Sequence, residues 1–207
     1  MAAIISLPRL YAIVDASCFP DIDAVCAFAK ELIAAGVGLL QYRNKTGDPR
    51  QILERARDLK QAVSGGATLI MNDRADLCLL AGFDGVHVGQ DDLSPPEVRQ
   101  LIGTDLWLGV SAHNPAQIAA ADKTSANYVA IGPVFPTASK ANPDPVVGLG
   151  GVRQARSLTT KPLVAIGGIT RANCREVIGA GADSVAVISD LLSAPRQSAG
   201  DFLRILR

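Results

Sequence analysis

Short apolar runs recur along the chain and alternate with longer segments in which apolar residues are spaced as on one face of a helix. Successive runs are separated by about 20 to 25 residues, which is typical of strand–helix units that build a parallel sheet. The apolar runs predict eight strands, over residues 10–14, 39–42, 68–71, 85–88, 106–110, 128–131, 163–166 and 184–188.

The intervening segments predict eight helices. Proline stands at or near the start of several of them, where a helix tolerates it best, and a glycine often follows the last turn. Gly36, Gly82 and Gly181 are examples of such terminal glycines. The predicted helices cover residues 22–35, 49–64, 74–81, 95–102, 115–121, 148–158, 171–180 and 199–206.

Eight repeated units without a change of composition predict an α/β protein, a closed (β/α)8 TIM barrel forming a single domain over residues 1–207. An open doubly wound sheet is the alternative, but no GxGxxG motif follows the first predicted strand. The longest irregular stretch, residues 135–147, lies between a strand and its helix, and its length predicts a functional lid.

The balanced charge of the chain favours small molecules as binding partners over nucleic acid. Lysine and arginine total 20 and aspartate and glutamate total 20, so no surface for nucleic acid is indicated. The four cysteines are scattered without a CxxC pair, as expected for reduced structural thiols. We find no basic start with a long apolar run and no membrane-length apolar stretch, so we expect a cytoplasmic protein. Whether it forms a homo-oligomer is left open.

Three polar side chains at every second position, Gln41, Arg43 and Lys45, follow the second apolar run. Alternate residues of a strand face the same side, and the approach through Val37 and Leu39 makes that side apolar. Two cations in such surroundings call for an anion, because a buried unpaired charge costs several kcal/mol. The pattern therefore predicts a polyanion site, and a strand that frays into a solvated loop is the alternative.

The carboxyl ends of barrel strands meet at one mouth, where barrel enzymes place their active sites. Asp73 follows the third predicted strand and Asp92 follows the fourth, so they provide two oxygen ligands suited to Mg²⁺. Asp91 is not excluded as a ligand. A helix cap or a turn is the ordinary explanation for an isolated aspartate in such loops, especially for Asp73, which precedes a predicted helix.

Glycines after the seventh strand predict a phosphate-binding loop. Gly167 and Gly168, together with Ile188 and Ser189 after the eighth strand, offer backbone N–H groups where barrels often bind phosphate. A tight turn that needs positive φ is the alternative. His87 lies within a predicted strand and is expected to be a core histidine. No GxSxG motif accompanies either histidine, which disfavours a hydrolase.

Seven segments in order along nearly the whole chain resemble the thiamine phosphate synthase family. They are LYAIVD (10–15), QYRNK (41–45), MNDR (71–74), HVGQDD (87–92), VSAH (110–113), GPVFPT (132–137) and AIGGI (165–169). The resemblance implies transfer of a pyrimidinylmethyl group. The enzyme would join 4-amino-2-methyl-5-pyrimidinylmethyl diphosphate to a thiazole phosphate, or to its carboxylated form, with release of diphosphate.

The resemblance also implies roles for individual residues. Mg²⁺ would be held by Asp73 and Asp92, and the thiazole phosphate by Gly168, Ile188, Ser189 and the segment Thr137, Ala138 and Ser139. Arg43, Lys45, Ser111 and Lys140 would act in catalysis. The pyrimidine diphosphate would be bound by Gln41, Tyr42, Arg43, Asn44, Lys45, Asn72, Ser111 and Lys140.

Two positions depart from the common family pattern. Ser139 stands where threonine is usual, and it keeps the hydroxyl group. Asp91 stands where glutamate is common, and this change leaves the Asp92 carboxylate in place. Two other functions remain alternatives. A thiazole tautomerase on the same barrel would use His113 as a base, and a non-catalytic phosphate sensor would need no pair of carboxylates.

Overall fold

The computed structural model describes residues 5–137 and 144–207. Its eight strands are β1 (Leu10–Asp15), β2 (Leu39–Arg43), β3 (Thr68–Asn72), β4 (Gly85–Val88), β5 (Trp107–Ala112), β6 (Tyr128–Ile131), β7 (Leu163–Ile166) and β8 (Ser184–Val187). Each strand pairs in parallel with the next, and β8 pairs with β1. The predicted closed (β/α)8 barrel is confirmed.

A helix follows each strand. The helices are α1 (Ile22–Ala34), α2 (Pro49–Val63), α3 (Ala75–Ala81), α4 (Pro95–Ile102), α5 (Pro115–Asp122), α6 (Gly148–Leu158), α7 (Cys174–Gly179) and α8 (Pro195–Ile205). Short 3-10 turns lie at Ala16–Cys18 and Ser189–Leu191. Among the described residues, no helix is long and apolar enough to cross a membrane.

Alternation along each strand separates the core into two layers. Leu40 and Tyr42 of β2 belong to the large cluster between strands and helices, whereas Leu39 belongs to the smaller cluster that fills the barrel interior. In register, Gln41 of β2 stands between Ile13 of β1 and Ile70 of β3, which also point inwards. The predicted Gln41, Arg43, Lys45 alternation therefore leads from the barrel interior to its mouth.

The strands and helices differ from the predicted ones mainly at their ends. β1, β2 and β3 each include one more residue than predicted, namely Asp15, Arg43 and Asn72. The apolar run stops at the mouth because the side chains there face a polar cavity, while the backbone pairing continues. Helix α8 begins at Pro195, four residues before its predicted start, with the proline in its first turn.

Candidate active site

A cavity of about 770 Å³ opens at the carboxyl ends of the strands. It is lined by side chains from the strands or from the loops that follow them, as expected for a TIM barrel. Most of the predicted site residues meet there: Gln41, Arg43, Lys45, Asn72, Asp73, Asp92, Ser111, Thr137, Gly168, Ile188 and Ser189.

Two other predicted residues within the described part of the chain, Tyr42 and Asn44, are not part of this lining. The Tyr42 side chain points outwards into the strand–helix layer, and the Asn44 amide donates to the Tyr42 hydroxyl and accepts from the backbone of its own loop. Strand alternation explains why these two residues face away from Arg43. The predicted Ala138, Ser139 and Lys140, in the loop predicted to be a lid, lie outside the described residues.

The two cations at the end of β2, Arg43 in the strand and Lys45 after it, each have a carboxylate partner. Arg43 is paired with Asp15, which is directly opposite it in the β1–β2 register and is almost fully buried. Lys45 Nζ lies 3.1 Å from Asp73 Oδ2 near the surface of the cavity. Sequence reasoning missed Asp15 as a site residue, although its place at the end of the first apolar run was a signal.

Asp73 and Asp92 form a close pair of carboxylates at the mouth. Burial raises the pKa of Asp92, and the neighbouring Asp73 carboxylate acts in the same direction. Asp92 Oδ2 also accepts a hydrogen bond of 2.7 Å from the Gly89 N–H. The helix-cap alternative for Asp73 is wrong, because Arg74 occupies the N-cap of α3 and no side chain caps that end. The turn alternative is correct, since Asp73 has a φ of +64° and the Arg74 N–H donates to the Asn72 carbonyl oxygen around it.

The carboxylate pair fits Mg²⁺. Two adjacent carboxylates leave most of an octahedral shell to water and substrate phosphate, as magnesium prefers. Over residues 5–137 and 144–207, no group of three or more His, Cys, Asp or Glu side chains is arranged to hold a metal. The donor set is therefore all oxygen and incomplete, which is unlike a structural zinc site. Asp91 also lines the cavity.

Asn72 carries an unused donor at the cavity. Its Nδ2 atom is buried and has no hydrogen-bond partner among the described residues. Since buried amide groups are nearly always satisfied, this one is placed to bind a ligand oxygen.

Two polar, uncharged side chains, His87 and Ser111, lie among apolar residues in the interior lining of the cavity. His87 lies in contact with Ser111 on one side and with Tyr128 on the other. Burial lowers the pKa of His87 to about 4, so the imidazole is neutral at physiological pH. The expectation of a bonded core histidine agrees with these contacts.

His113 stands on the cavity wall with its ring held in one orientation. Its Nδ1 lies 2.7 Å from the Gly132 carbonyl oxygen and 3.5 Å from Asp144 Oδ2. A carbonyl only accepts, so Nδ1 carries a proton and donates it. In the neutral ring Nε2 is then an acceptor.

The opposite side of the cavity is formed by the loops after β7 and β8. Gly167 and Gly168 have φ of +99° and +63°. A Cβ at Gly168 would lie 2.5 Å from the Pro136 carbonyl oxygen, so this position requires glycine both for its conformation and for its packing. The alternative of a tight turn that needs positive φ is therefore correct. It is compatible with phosphate binding, because glycine has no side chain between the backbone and the cavity.

The cavity has two polar ends. One end has Arg43 and Lys45 with their carboxylate partners, Asp92 and the Asn72 amide donor. The other has Gly167 and Gly168 beside the Ser189–Leu191 turn. Between them lie a neutral amide, a hydroxyl and an imidazole. The arrangement offers a charged end and a glycine-loop end with neutral polar side chains between them.

Comparison with known proteins gives consistent relatives. Residues 10–191 match the family model described as thiamine monophosphate synthase. The chain is 62% identical to the thiamine-phosphate synthase of Koribacter versatilis, over all of this chain and 99% of that protein. It is 44% identical to that of Shouchella clausii, over 90% of this chain and 89% of that protein.

A solved structure agrees with the sequence relatives. The thiamine phosphate pyrophosphorylase from Pyrococcus furiosus superposes with a TM-score of 0.84 at 30% identity, covering 96% of this chain and 95% of that one. The predicted resemblance is confirmed, and the chain belongs to the thiamine monophosphate synthase family.

Proposed function

We propose that this chain, acting as one barrel domain, is a thiamine-phosphate synthase. It transfers the 4-amino-2-methyl-5-pyrimidinylmethyl group from its diphosphate to the nitrogen of a thiazole phosphate. The products are thiamine phosphate and diphosphate. Relatives with the printed name thiamine-phosphate synthase, one of them 62% identical over the full chain, support this activity.

The observation that carries the proposal is that one cavity contains two separate ends, each with groups suited to a phosphorylated ligand. Arg43, Lys45 and the Asp73–Asp92 pair lie at the end formed by β2 to β4, and Gly168 lies at the end formed by β7 and β8. A transferase that joins a diphosphate to a phosphate needs both ends in one chamber.

The diphosphate would lie at the first end. Arg43 and Lys45 would neutralise charge that builds up on the leaving oxygen, and the free Nδ2 of Asn72 would donate to a phosphate oxygen. Asp73 and Asp92 would hold Mg²⁺, which when bound supplies further positive charge to the diphosphate. Lys140 would add a third cation, as the family resemblance implies.

The thiazole phosphate would lie at the second end. The backbone at Gly168 and the start of the turn at Ile188 and Ser189 would bind its phosphate, together with Thr137. Binding of the phosphate in this way would orient the thiazole nitrogen towards the methylene carbon attached to the pyrimidine ring. Ser111 and Gln41 would orient the pyrimidine ring.

The chemistry proposed is ionisation at the methylene carbon. The carbon–oxygen bond to diphosphate breaks, both electrons leave with the diphosphate, and the aminopyrimidine ring delocalises the positive charge. The thiazole nitrogen then forms the new bond with its lone pair. No protein nucleophile is needed, so positioning and charge stabilisation carry the catalysis.

One observation favours a second candidate. His113 faces the cavity with Nδ1 fixed by the Gly132 carbonyl, which leaves Nε2 able to accept a proton in a thiazole tautomerase. The first proposal is preferred because proton transfer on a thiazole needs neither Arg43 and Lys45 nor the carboxylate pair.

The deciding experiment supplies purified protein with both substrates and Mg²⁺ and identifies the products by chromatography. Formation of thiamine phosphate with one equivalent of diphosphate is the expected result. Isomerised thiazole without thiamine phosphate would replace the proposal by the tautomerase.

A further inference from the structure

A chain of hydrogen bonds crosses the barrel interior and joins two side chains that face the cavity. Gln41 Nε2 donates to the Tyr11 hydroxyl at 2.8 Å, and the Tyr11 and Tyr128 hydroxyls lie 3.0 Å apart. The Tyr128 hydroxyl is 3.1 Å from Nδ1 of His87, and Nε2 of His87 is 2.8 Å from Oγ of Ser111. The chain thus begins and ends at residues of the substrate cavity.

The strand register creates room for this chain at Gly109. In β5, Gly109 lies between His87 of β4 and Tyr128 of β6. A Cβ at this position would overlap both the Tyr128 ring and His87 Nδ1. With glycine there, the two rings stack with centroids 5.5 Å apart and an interplanar angle of 26°. Gly109 therefore allows the Tyr128 hydroxyl to reach the imidazole.

Burial requires every hydroxyl of the chain to be satisfied, and the Gln41 amide, which donates to Tyr11, sets the direction of the protons. Tyr11 is 1% exposed and Tyr128 is fully buried, so each phenol must donate within the chain. The Tyr11 oxygen already accepts from the Gln41 amide, so its proton goes to Tyr128, whose own proton goes to His87 Nδ1.

The His87 imidazole continues the same direction of hydrogen-bond donation to Ser111. A neutral histidine has one acceptor and one donor nitrogen. Because Nδ1 accepts from Tyr128, Nε2 carries the proton and donates it to Ser111 Oγ. The Ser111 hydroxyl proton is then available to the cavity, and at the other end the Gln41 amide has its oxygen Oε1 available as an acceptor.

We infer that Tyr11, Tyr128 and His87 are positioning residues that couple the hydrogen-bonding polarity of Gln41 to that of Ser111. Gln41 presents an acceptor while Ser111 presents a donor. Reversal of the whole chain would present the Gln41 NH₂ and a Ser111 acceptor instead. One end cannot reverse alone without leaving a buried phenol or imidazole unsatisfied.

This polarity selects a class of ring. An acceptor on β2 and a donor on β5 suit a heteroaromatic ring that carries an exocyclic amino group and a ring nitrogen with a free lone pair. The identification of that ring as the aminopyrimidine rests on the proposed function, whereas the direction of the chain does not.

The first test reads the tautomer of His87 without turnover. In protein labelled with ¹⁵N-histidine, multiple-bond ¹H–¹⁵N correlation spectra distinguish protonated from unprotonated ring nitrogens, and a His113→Gln variant assigns the two rings. We expect Nε2 protonated and Nδ1 unprotonated at pH 7. A proton on Nδ1 would mean that the chain runs the other way and would overturn the inference.

The second test uses Tyr128→Phe and Tyr11→Phe, which remove one hydroxyl each and keep the ring packing. Each variant should lower kcat/KM for the pyrimidine diphosphate by about 10- to 100-fold and leave KM for the thiazole phosphate unchanged. Because either change breaks the same chain, the double variant should be no worse than the poorer single variant. Multiplied effects would overturn the coupling.

Ser184→Ala serves as the matched control, since it removes a buried hydroxyl at the far end of the barrel on β8. It should retain the wild-type kcat/KM and the His87 tautomer. If the wild-type protein forms no thiamine phosphate, the proposed function fails, but the tautomer measurement still decides the direction of the chain.

Discussion

The Asp190 carboxylate accepts three hydrogen bonds from Arg171. The Arg171 backbone N–H donates to Oδ2 at 2.8 Å, its Nε donates to the same oxygen at 3.1 Å, and Nη2 donates to Oδ1 at 3.1 Å. Arg171 follows β7 and Asp190 follows β8, so this contact ties together the two loops proposed to bind the thiazole phosphate.

Asp190→Ala should therefore loosen the phosphate-binding end. We expect KM for the thiazole phosphate to rise by about threefold to tenfold, with little change in kcat/KM for the pyrimidine diphosphate. Steady-state kinetics with each substrate varied separately measures this. Asp76→Ala is the control, since Asp76 pairs with Arg74 on the exposed start of α3. An equal effect on both substrates would contradict the assignment of this end.

Gly168→Ala should disturb the same end more severely. The new Cβ would lie 2.5 Å from the Pro136 carbonyl oxygen and would force alanine into a left-handed conformation. Strain of this kind costs about 1–3 kcal/mol, and we expect at least a tenfold rise in KM for the thiazole phosphate. Gly179→Ala is the matched control, because a Cβ there meets nothing within 4 Å. Equal KM values in the two variants would remove Gly168 from the phosphate site.

Asn72→Ala should lower the activity without lowering the free energy of unfolding. The Asn72 Nδ2 donor is buried without a partner among the described residues, so its removal should leave the free energy of unfolding unchanged or raise it. Loss of a hydrogen bond to charged phosphate should lower kcat/KM for the pyrimidine diphosphate by about 10- to 100-fold. Urea unfolding and steady-state kinetics on the same preparation measure both. A clear loss of stability would mean that Asn72 serves the fold.

Asp92→Asn should weaken the binding of Mg²⁺ at the proposed metal site. Removing one of two anionic ligands should raise the Mg²⁺ concentration for half-maximal rate by at least about tenfold. Initial rates over a Mg²⁺ titration measure the change. Asp91→Asn, one position away, tests whether the effect is specific to Asp92. Unchanged Mg²⁺ dependence in Asp92→Asn would argue against the proposed metal site.

His87 should make the fold sensitive to acid. Its pKa is lowered from 6.5 to about 4 by burial, so the unfolded chain binds its proton at a higher pH than the native protein does. The unfolding free energy should therefore fall as pH drops from about 6.5 towards 4, by up to about 3 kcal/mol. Urea unfolding at pH 7, 6 and 5 should show a smaller decrease in His87→Gln. Parallel curves would show that this residue contributes nothing to the acid dependence.

The fold was predictable because strand–helix units repeat eight times, and the set of cavity residues was predictable because the family motifs lie at the strand ends. Strand alternation then explains which motif residues face the cavity. Gln41 and Arg43 face inwards and Tyr42 faces outwards because successive residues point to opposite sides. The family motif covers residues 41–45 without distinguishing the two faces, which is why Tyr42 and Asn44 were included among the predicted binding residues.

Side-chain contacts between residues far apart in the sequence were not predictable. The pairing of Arg43 with Asp15 depends on the β1–β2 register, and the contact of His87 with Tyr128 depends on the absence of a side chain at Gly109. Such contacts are set by three-dimensional packing over long sequence separations. A pattern of single residues carries no information about them.

The most direct test of the account is a crystal structure of the protein with thiamine phosphate, diphosphate and Mg²⁺. We expect Mg²⁺ between Asp73 and Asp92, diphosphate against Arg43 and Asn72, and the thiamine phosphoryl group on the Gly168 loop. Diphosphate bound at the Gly168 loop, or Mg²⁺ bound away from both aspartates, would contradict the account.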